Sequence, residues 1–469
     1  MSPRYGVPDP PVHRLPGTPR LLLAALLLVT ACTGGSGSPA APSPDVAGDI
    51  VVAGGRDVTG QNGIRQQLID DWNEREAKKN SGYRARLVEL PGSADEQRSQ
   101  LLGALQSGSA VYDVVNLDVT WVPEFAAAGL IRPLPGSVLD ADDHIESVAE
   151  TARWDGEVYS VPFNSDVGLL YYRRDLLKAA GVQQTDLSAG LDQGQLEDLI
   201  EEIDEHPAQG AYEKGWTTQL APYEGRTVNA VEAFASATEG FHFTGADGHY
   251  DADLAQLTAG VAELRRRTES PYTLQDAVHS DEAASLGDFA DGRTAFLRHW
   301  PYAYRTLHQS FSEEQLGVAP LPGRAVLGGQ NLAVTQGSQR AAKATELIRY
   351  LTGEESERCL LDAGFAATRV SAYTTDSVRC PLPPTAPSAS PTGERADPIP
   401  RDRAGRPRYA RGILLPALRE AVQRPRTPLY GAFTQTFTAQ LGPLLGDSPP
   451  GDAELAASLD AALRKALPD

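Results

Sequence analysis

The stretch V-Y-D-V-V-N-L-D, Val111 to Asp118, decides how the chain is read. It is a nearly continuous apolar run ending in polar groups, as the strands of a parallel sheet are. Just upstream, D-I-V-V-A-G-G (Asp49 to Gly55) is a short strand ending in glycines. The following I-R-Q-Q-L-I-D-D-W-N sets Ile64, Leu68, Ile69 and Trp72 at helical spacing. A second strand is expected at R-A-R-L-V-E-L (Arg84 to Leu90) and a helix around Gln97 to Gln106. Strand, helix, strand, helix, strand in so short a span predicts a doubly wound α/β unit with a parallel sheet. Such sheets bind ligands at the carboxyl ends of their strands, and Asp118 sits at one of those ends.

Further on, W-V-P-E-F-A-A-A-G-L-I-R-P-L (Trp121 to Leu134) reads as a helix and its exit. The strand-rich V-Y-S-V-P-F-N-S-D-V-G-L-L-Y-Y-R-R-D-L-L (Val158 to Leu177) is interrupted by proline and glycine, as where a chain leaves one lobe for another. A second, mostly helical α/β region runs to about Gly323 and includes the helix Gln195 to Glu205. A strand at Asn331 to Ser338 then precedes a helix at Ala341 to Leu351. At least two crossings predict a hinge made of several strands. The expected fold is α/β and two-lobed, one lobe from 48–164 with 326–365 and the other from 165–325 with 366–469. Pro381 to about Arg406 is rich in Pro, Ser, Thr and charge, without periodicity, and is expected as a disordered surface insertion.

The composition, 41% hydrophobic and 22% charged over 469 residues, is that of a globular protein with two or three domains' worth of core. A net charge of -20 argues against nucleic acid or anionic lipid as main partner. At the N-terminus, Arg4, Arg14 and Arg20 precede the apolar run Leu21 to Val29. That run is far short of the ~20 residues that span a bilayer and fits an export signal. Thr30 and Ala31 before Cys32 resemble the lipobox of bacterial lipoproteins, which implies cleavage after residue 31 and a diacylglyceryl anchor on Cys32. Residues 32–47, mostly small, read as a flexible tether. The chain is thus expected outside the cytoplasm, held to the outer face of the cell membrane by lipid. In that oxidising compartment Cys359 and Cys380, a lone pair, are expected to form a disulfide. Two cysteines without clustered histidines make no zinc site, and neither metal nor cofactor is expected.

Six motifs, in this order, carry a resemblance: Tyr112 to Leu134, Asp166 to Leu177, A-P-Y-E-G-R-T-V-N-A-V-E (Ala221 to Glu232), G-R-T-A-F-L-R-H-W-P-Y (Gly292 to Tyr302), G-G-Q-N-L-A-V (Gly328 to Val334) and A-T-R-V-S-A-Y (Ala367 to Tyr373). Together they resemble an extracellular solute-binding protein of a carbohydrate ABC importer, of the maltose/trehalose-binding type, across essentially the mature chain. The resemblance implies a periplasmic-binding-protein-like fold whose two lobes close on sugar. It implies a monomer whose partners are a small-molecule sugar and the transmembrane subunits of an ABC permease.

A pyranose offers hydroxyls at its rim and C–H groups on its faces. Its site therefore needs two-oxygen acceptors, rigid donors and a flat apolar surface. Asp118 matches the family's acidic residue at the strand end; its alternative is capping the helix that starts near Thr120. Asp166 follows the lobe crossing, as ligand contact or hinge hydrogen bond. Trp300, in the W-P-Y turn, is implied to lay its indole on a sugar ring, the alternative being a core tryptophan. Tyr302 and Tyr304 stand beside it as possible core partners. Arg369 matches an arginine that reaches toward the cleft, or else forms an ion pair. Tyr223 and Glu224 are expected in the far wall, and Tyr430 as a late aromatic lining the cleft. Arg56 and Asp57 follow the first strand as ligand-touching or merely exposed charges. Gly329 and Gln330 lie where close relatives often carry Trp after the paired glycines. Gln330 trades a stacking face for hydrogen bonds, which opens the site to ligands other than maltose or trehalose.

Two rival readings stand beside this one. A glycosidase could use Asp118 and Asp166 as its carboxyl pair, but the tether, hinge and motifs are those of a binder, and neither H-E-x-x-H nor G-x-S-x-G occurs. No enzyme is expected. A sensor that presents its ligand state to a membrane partner would share the same fold and sequence.

Overall fold

Eleven strands follow one another among the described residues: β1 Gly48–Gly55, β2 Tyr83–Leu90, β3 Val114–Asp118, β4 Arg153–Trp154, β5 Glu157–Val158, β6 Val161–Val167, β7 Leu169–Arg173, β8 Lys214–Thr217, β9 Thr294–His299, β10 Leu316–Pro320 and β11 Leu327–Val334. The structure is a computed structural model that describes residues 45–56, 63–108, 110–206, 210–268, 271–382 and 399–468. All of them belong to the compact unit Asp45–Asp469. The expected export signal and Cys32 lie outside the described residues, as does Asp57.

The strands build two sheets, β2-β1-β3-β11-β6 and β10-β7-β9-β8, with β4-β5 as a separate ribbon. The molecule is a two-lobed α/β protein. Helix α1 (Ile64–Lys78) connects β1 to β2, and α2 (Ala94–Gln106) connects β2 to β3. The expected parallel unit is present, since β1 pairs parallel with both β2 and β3. The sheets as wholes are mixed, because β11 runs antiparallel to β3 and β6, and β7 antiparallel to β9 and β10. α1 forms because Ile64, Leu68, Ile69 and Trp72 recur on one face, and all four are buried. α2 opens with a capping box, Ser93 and Glu96 each satisfying the other's backbone N–H.

Two strand boundaries differ from the sequence reading. β3 starts at Val114 and leaves Val111 exposed; Asp113 instead accepts hydrogen bonds from the Val51 backbone (3.0 Å) and the Ser338 hydroxyl (2.7 Å). β11 starts at Leu327 rather than Asn331 and passes through the paired glycines. At Gly329 the backbone has φ 113°, and a Cβ would stand 2.4 Å from the Asn164 carbonyl, so glycine alone fits.

The chain crosses from the first sheet to the second at Gly168, between β6 and β7, and returns between β10 and β11. On the second lobe, the helix Glu224–Ala237 packs against Leu254–Thr268 and Tyr430–Leu441, and the last helix, Asp452–Ala466, packs on those two. Phe234, Phe243, Phe433 and Phe437 meet there with ring centroids 5.0–5.6 Å apart.

Of the Pro-rich stretch expected as a loose insertion, residues 383–398 lie outside the described residues. Its end is packed, contrary to that expectation. Ile399, Ala404 and Arg406 are buried, and Arg406 pairs with Asp402 and Asp376 at 2.8 Å. Burying a guanidinium requires such partners, which the composition alone does not reveal.

Cys359 and Cys380 are joined by a disulfide across a sequence separation of 21. Loop-closure entropy for a link of that length stabilises the fold by about 3 kcal/mol. The double variant Cys359→Ser/Cys380→Ser is expected to lose about that much, read from urea unfolding.

Candidate ligand-binding site

Strand register gathers the site. Along β11, Gly328 pairs with Asp166 of β6 and Gln330 pairs with Asp118 of β3, so both carboxylates arrive at the same end of the first sheet. β3 and β6 both run opposite to β11, which places that end at their carboxyl termini. The glycines let the second lobe approach closely. A Cβ on Gly328 would lie 3.1 Å from the Trp300 ring and 3.2 Å from the Asp166 Cβ. Trp300 follows the last residue of β9, and its indole therefore stands beside Asp166.

The result is a cleft of about 690 Å³, within the usual range for small-molecule sites. Asp118, Asp166, Trp300, Tyr223, Glu224, Gly329, Gln330 and Arg56 all line it. Their environments differ. Asp118 accepts from the Thr120 backbone (2.9 Å) and hydroxyl (2.7 Å), so it holds a turn as well as facing the cleft. Asp166 has no hydrogen-bond donor and no ion pair among the described residues. Its burial pushes the carboxyl up to about 7, against the pull of Arg65. Tyr223 donates to Glu282 at 2.7 Å. Trp300 donates to the same carboxylate at 3.4 Å, and the Arg298 guanidinium lies 3.9 Å from its ring centre. Arg56 is exposed at the edge. Gln330 Oε1 accepts from Arg65 at 3.3 Å.

Two expected site residues stand elsewhere. Arg369 does not line the cleft; its guanidinium is held by Asp143 (3.0 Å) and by the Thr352 carbonyl (2.7 Å), the ion-pair alternative. Tyr430 is fully buried behind the wall, donating its hydroxyl to Glu224, and does not face ligand space. Of the two tyrosines after Trp300, Tyr302 lines the cleft while Tyr304 packs on Tyr409 in the core.

Arg424 and Arg65 were not singled out from the sequence. Arg424 is nearly inaccessible and spans the lobes, holding Asp118 at 2.9 Å and Glu224 at 2.6 Å. A second direct link joins the Glu224 N–H to Asp95 of α2 at 3.3 Å. Arg65, in the first turn of α1, donates to Asn164 (3.1 Å) and to the Gly55 carbonyl (3.3 Å). Neither arginine falls in a motif that distinguishes it from a surface charge. Their roles come from partners distant in sequence, 200 and 306 residues away for Arg424 and 99 and 265 for Arg65.

A cleft between two sheet-bearing lobes, lined by carboxylates, arginines and an indole, defines a binding protein for a small polar solute. The chain belongs to the bacterial extracellular solute-binding protein family, whose model matches residues 67–379. It is a substrate-binding component of an ABC transporter and acts outside the cytoplasm. A probable ABC transporter-binding protein of Deinococcus radiodurans is 26% identical over 309 residues, 63% of this chain and 71% of that protein. The fold is shared with maltose-bound MalE3 of T. maritima, at TM-score 0.70 and 21% identity, covering 89% of this chain and all of that one. It is likewise shared with the GacH receptor of Streptomyces glaucescens, solved unliganded and with acarbose, at TM-score 0.70 and 21% identity over 91% and 100% of the two chains. Among the described residues, no group of three His, Cys, Asp or Glu side chains could hold a metal ion, and no helix is long and apolar enough to cross a membrane.

Proposed function

We propose that this protein captures a sugar, an α-glucosidic di- or oligosaccharide, between its lobes and delivers it to the permease of a carbohydrate ABC importer. The observation that carries this reading is the joint presence in one cleft of the Trp300 indole and the carboxylates Asp166 and Glu282. An aromatic face covers the C–H side of a pyranose while two-oxygen acceptors take its hydroxyls. Ligand held by both lobes favours the closed arrangement by its differential affinity for it. The protein works as a monomer, and Asp118, Gln330, Tyr223 and Arg56 complete the contact surface.

Lipid on Cys32 anchors the protein to the outer face of the cell membrane in this account. The variant Cys32→Ser is expected to move from the membrane fraction to the soluble fraction on cell fractionation. Retention in the membrane would mean a different anchor.

The released variant also serves to test the ligand. In a thermal-shift screen against mono- and oligosaccharides, an α-glucoside is expected to raise the melting temperature, since a ligand at a hundred times its Kd adds about 2.7 kcal/mol. No shift with any sugar would overturn the proposal.

A further inference from the structure

The charge in the cleft is not balanced. Five carboxylates line it, Asp118, Asp166, Glu224, Asp281 and Glu282, against Arg56, Arg65 and Arg424. Arg424 is shared between Asp118 and Glu224, so one guanidinium serves two acids. Glu282 receives its hydrogen bonds from neutral groups, the Tyr223 hydroxyl and the Trp300 indole N–H. Among the described residues no cation pairs with Glu282, and Asp166 has neither an ion pair nor a donor.

Both of these acids adjoin Trp300, Glu282 through the hydrogen bond and Asp166 through their common approach to Gly328. The remaining cation near the ring, Arg298, is already paired with Glu232 at 2.6 Å and covers one indole face. Two carboxylates with no ion pair of their own, Glu282 at the indole N–H and Asp166 toward its six-membered ring, are a site for a positive charge on a ligand. Resting on the sugar-binding reading above, we infer that the preferred ligand is a sugar bearing a protonated amine, its ammonium held by Asp166 and Glu282 beside Trp300.

The protonation of Asp166 gives this a signature. Arg65, Arg298 and Arg424 draw its carboxyl down and Asp118 pushes it up, while Tyr171, Tyr302, Tyr373 and Tyr409 stand around it; burial leaves it titrating at about 7. An ammonium neighbour favours the ionised carboxylate, so affinity for a 6-amino-6-deoxy sugar, whose amine keeps its proton well above neutrality, should rise with pH through about 7. A neutral sugar deepens the burial without adding charge and gives no such rise.

The test is isothermal titration of the Cys32→Ser protein with matched sets. One set is glucose, glucosamine and N-acetylglucosamine; the other is trehalose, its 6-amino-6-deoxy derivative and the N-acetylated form of that derivative. The amine is expected to bind at least tenfold tighter than either neutral member of its set. Asp166→Asn and Glu282→Gln should each shrink that ratio, whatever they do to neutral sugars, and Asp166→Asn should also remove the rise with pH. Equal or weaker binding of the amines, with neutral sugars bound, would overturn this inference and leave the sugar-binding reading standing. Failure of every member of both sets to bind, together with no shift for any sugar in the thermal-shift screen, would overturn the two together.

Discussion

Replacing Glu232 by alanine is expected to destabilise the fold by about 3–5 kcal/mol, the cost of stranding a buried charge. Its carboxylate is buried against Arg298, with Oε1 2.6 Å from Nη2 and Oε2 3.0 Å from Nε. Oε1 also accepts the Val326 N–H at 3.1 Å and lies where a Cβ on Gly168 would stand, 2.3 Å away. One side chain therefore ties the helix Glu224–Ala237 to β9 and to both lobe crossings. Without it, Arg298 keeps the Gln219 amide oxygen at 3.3 Å but no counter-charge. Urea unfolding would show the loss as a lowered midpoint. Glu232→Leu combined with Arg298→Met should recover much of it, because an apolar pair carries no desolvation penalty. A single variant within 1 kcal/mol of the parent would show that the pair is not essential.

The second large effect is on binding. Trp300→Ala is expected to weaken sugar affinity at least tenfold, about 1.4 kcal/mol, with the circular dichroism spectrum unchanged. The indole is only partly buried, and it contacts Arg298 on one side and Glu282 through its N–H. Truncation therefore removes a cleft surface more than core volume. Trp300→Phe should recover part of the loss by restoring an aromatic face. Unchanged affinity in Trp300→Ala would return this residue to the core.

The parts of the molecule legible in the sequence are those where periodicity is strong. β1, α1, β2 and β3 are legible because each buries residues that its apolar pattern marks, while α2 buries only Leu101 fully and is legible from its place between two strands. Trp300 and Asp166 were legible because each sits at an interruption, a strand end or a lobe crossing, where a polar or aromatic group has no local structural reason to be. Arg369 and Tyr430 misled for the opposite reason. Their residue types suit sugar, but Asp143 and Glu224, far away in sequence, claim them. Arg424 stands only six residues before Tyr430, yet nothing in the local sequence marks it. Its meaning depends on Asp118 and Glu224, which local pattern cannot supply.

Whether sugar is held between the lobes, against Trp300, is answered by a crystal structure with the best sugar from the thermal-shift screen. Density for a sugar ring is expected on the exposed side of the Trp300 indole, within hydrogen-bond reach of Asp166 and Glu282. Density elsewhere, such as in the second cavity walled by Trp154, Phe241 and Arg426, with the Trp300 cleft empty, would contradict it.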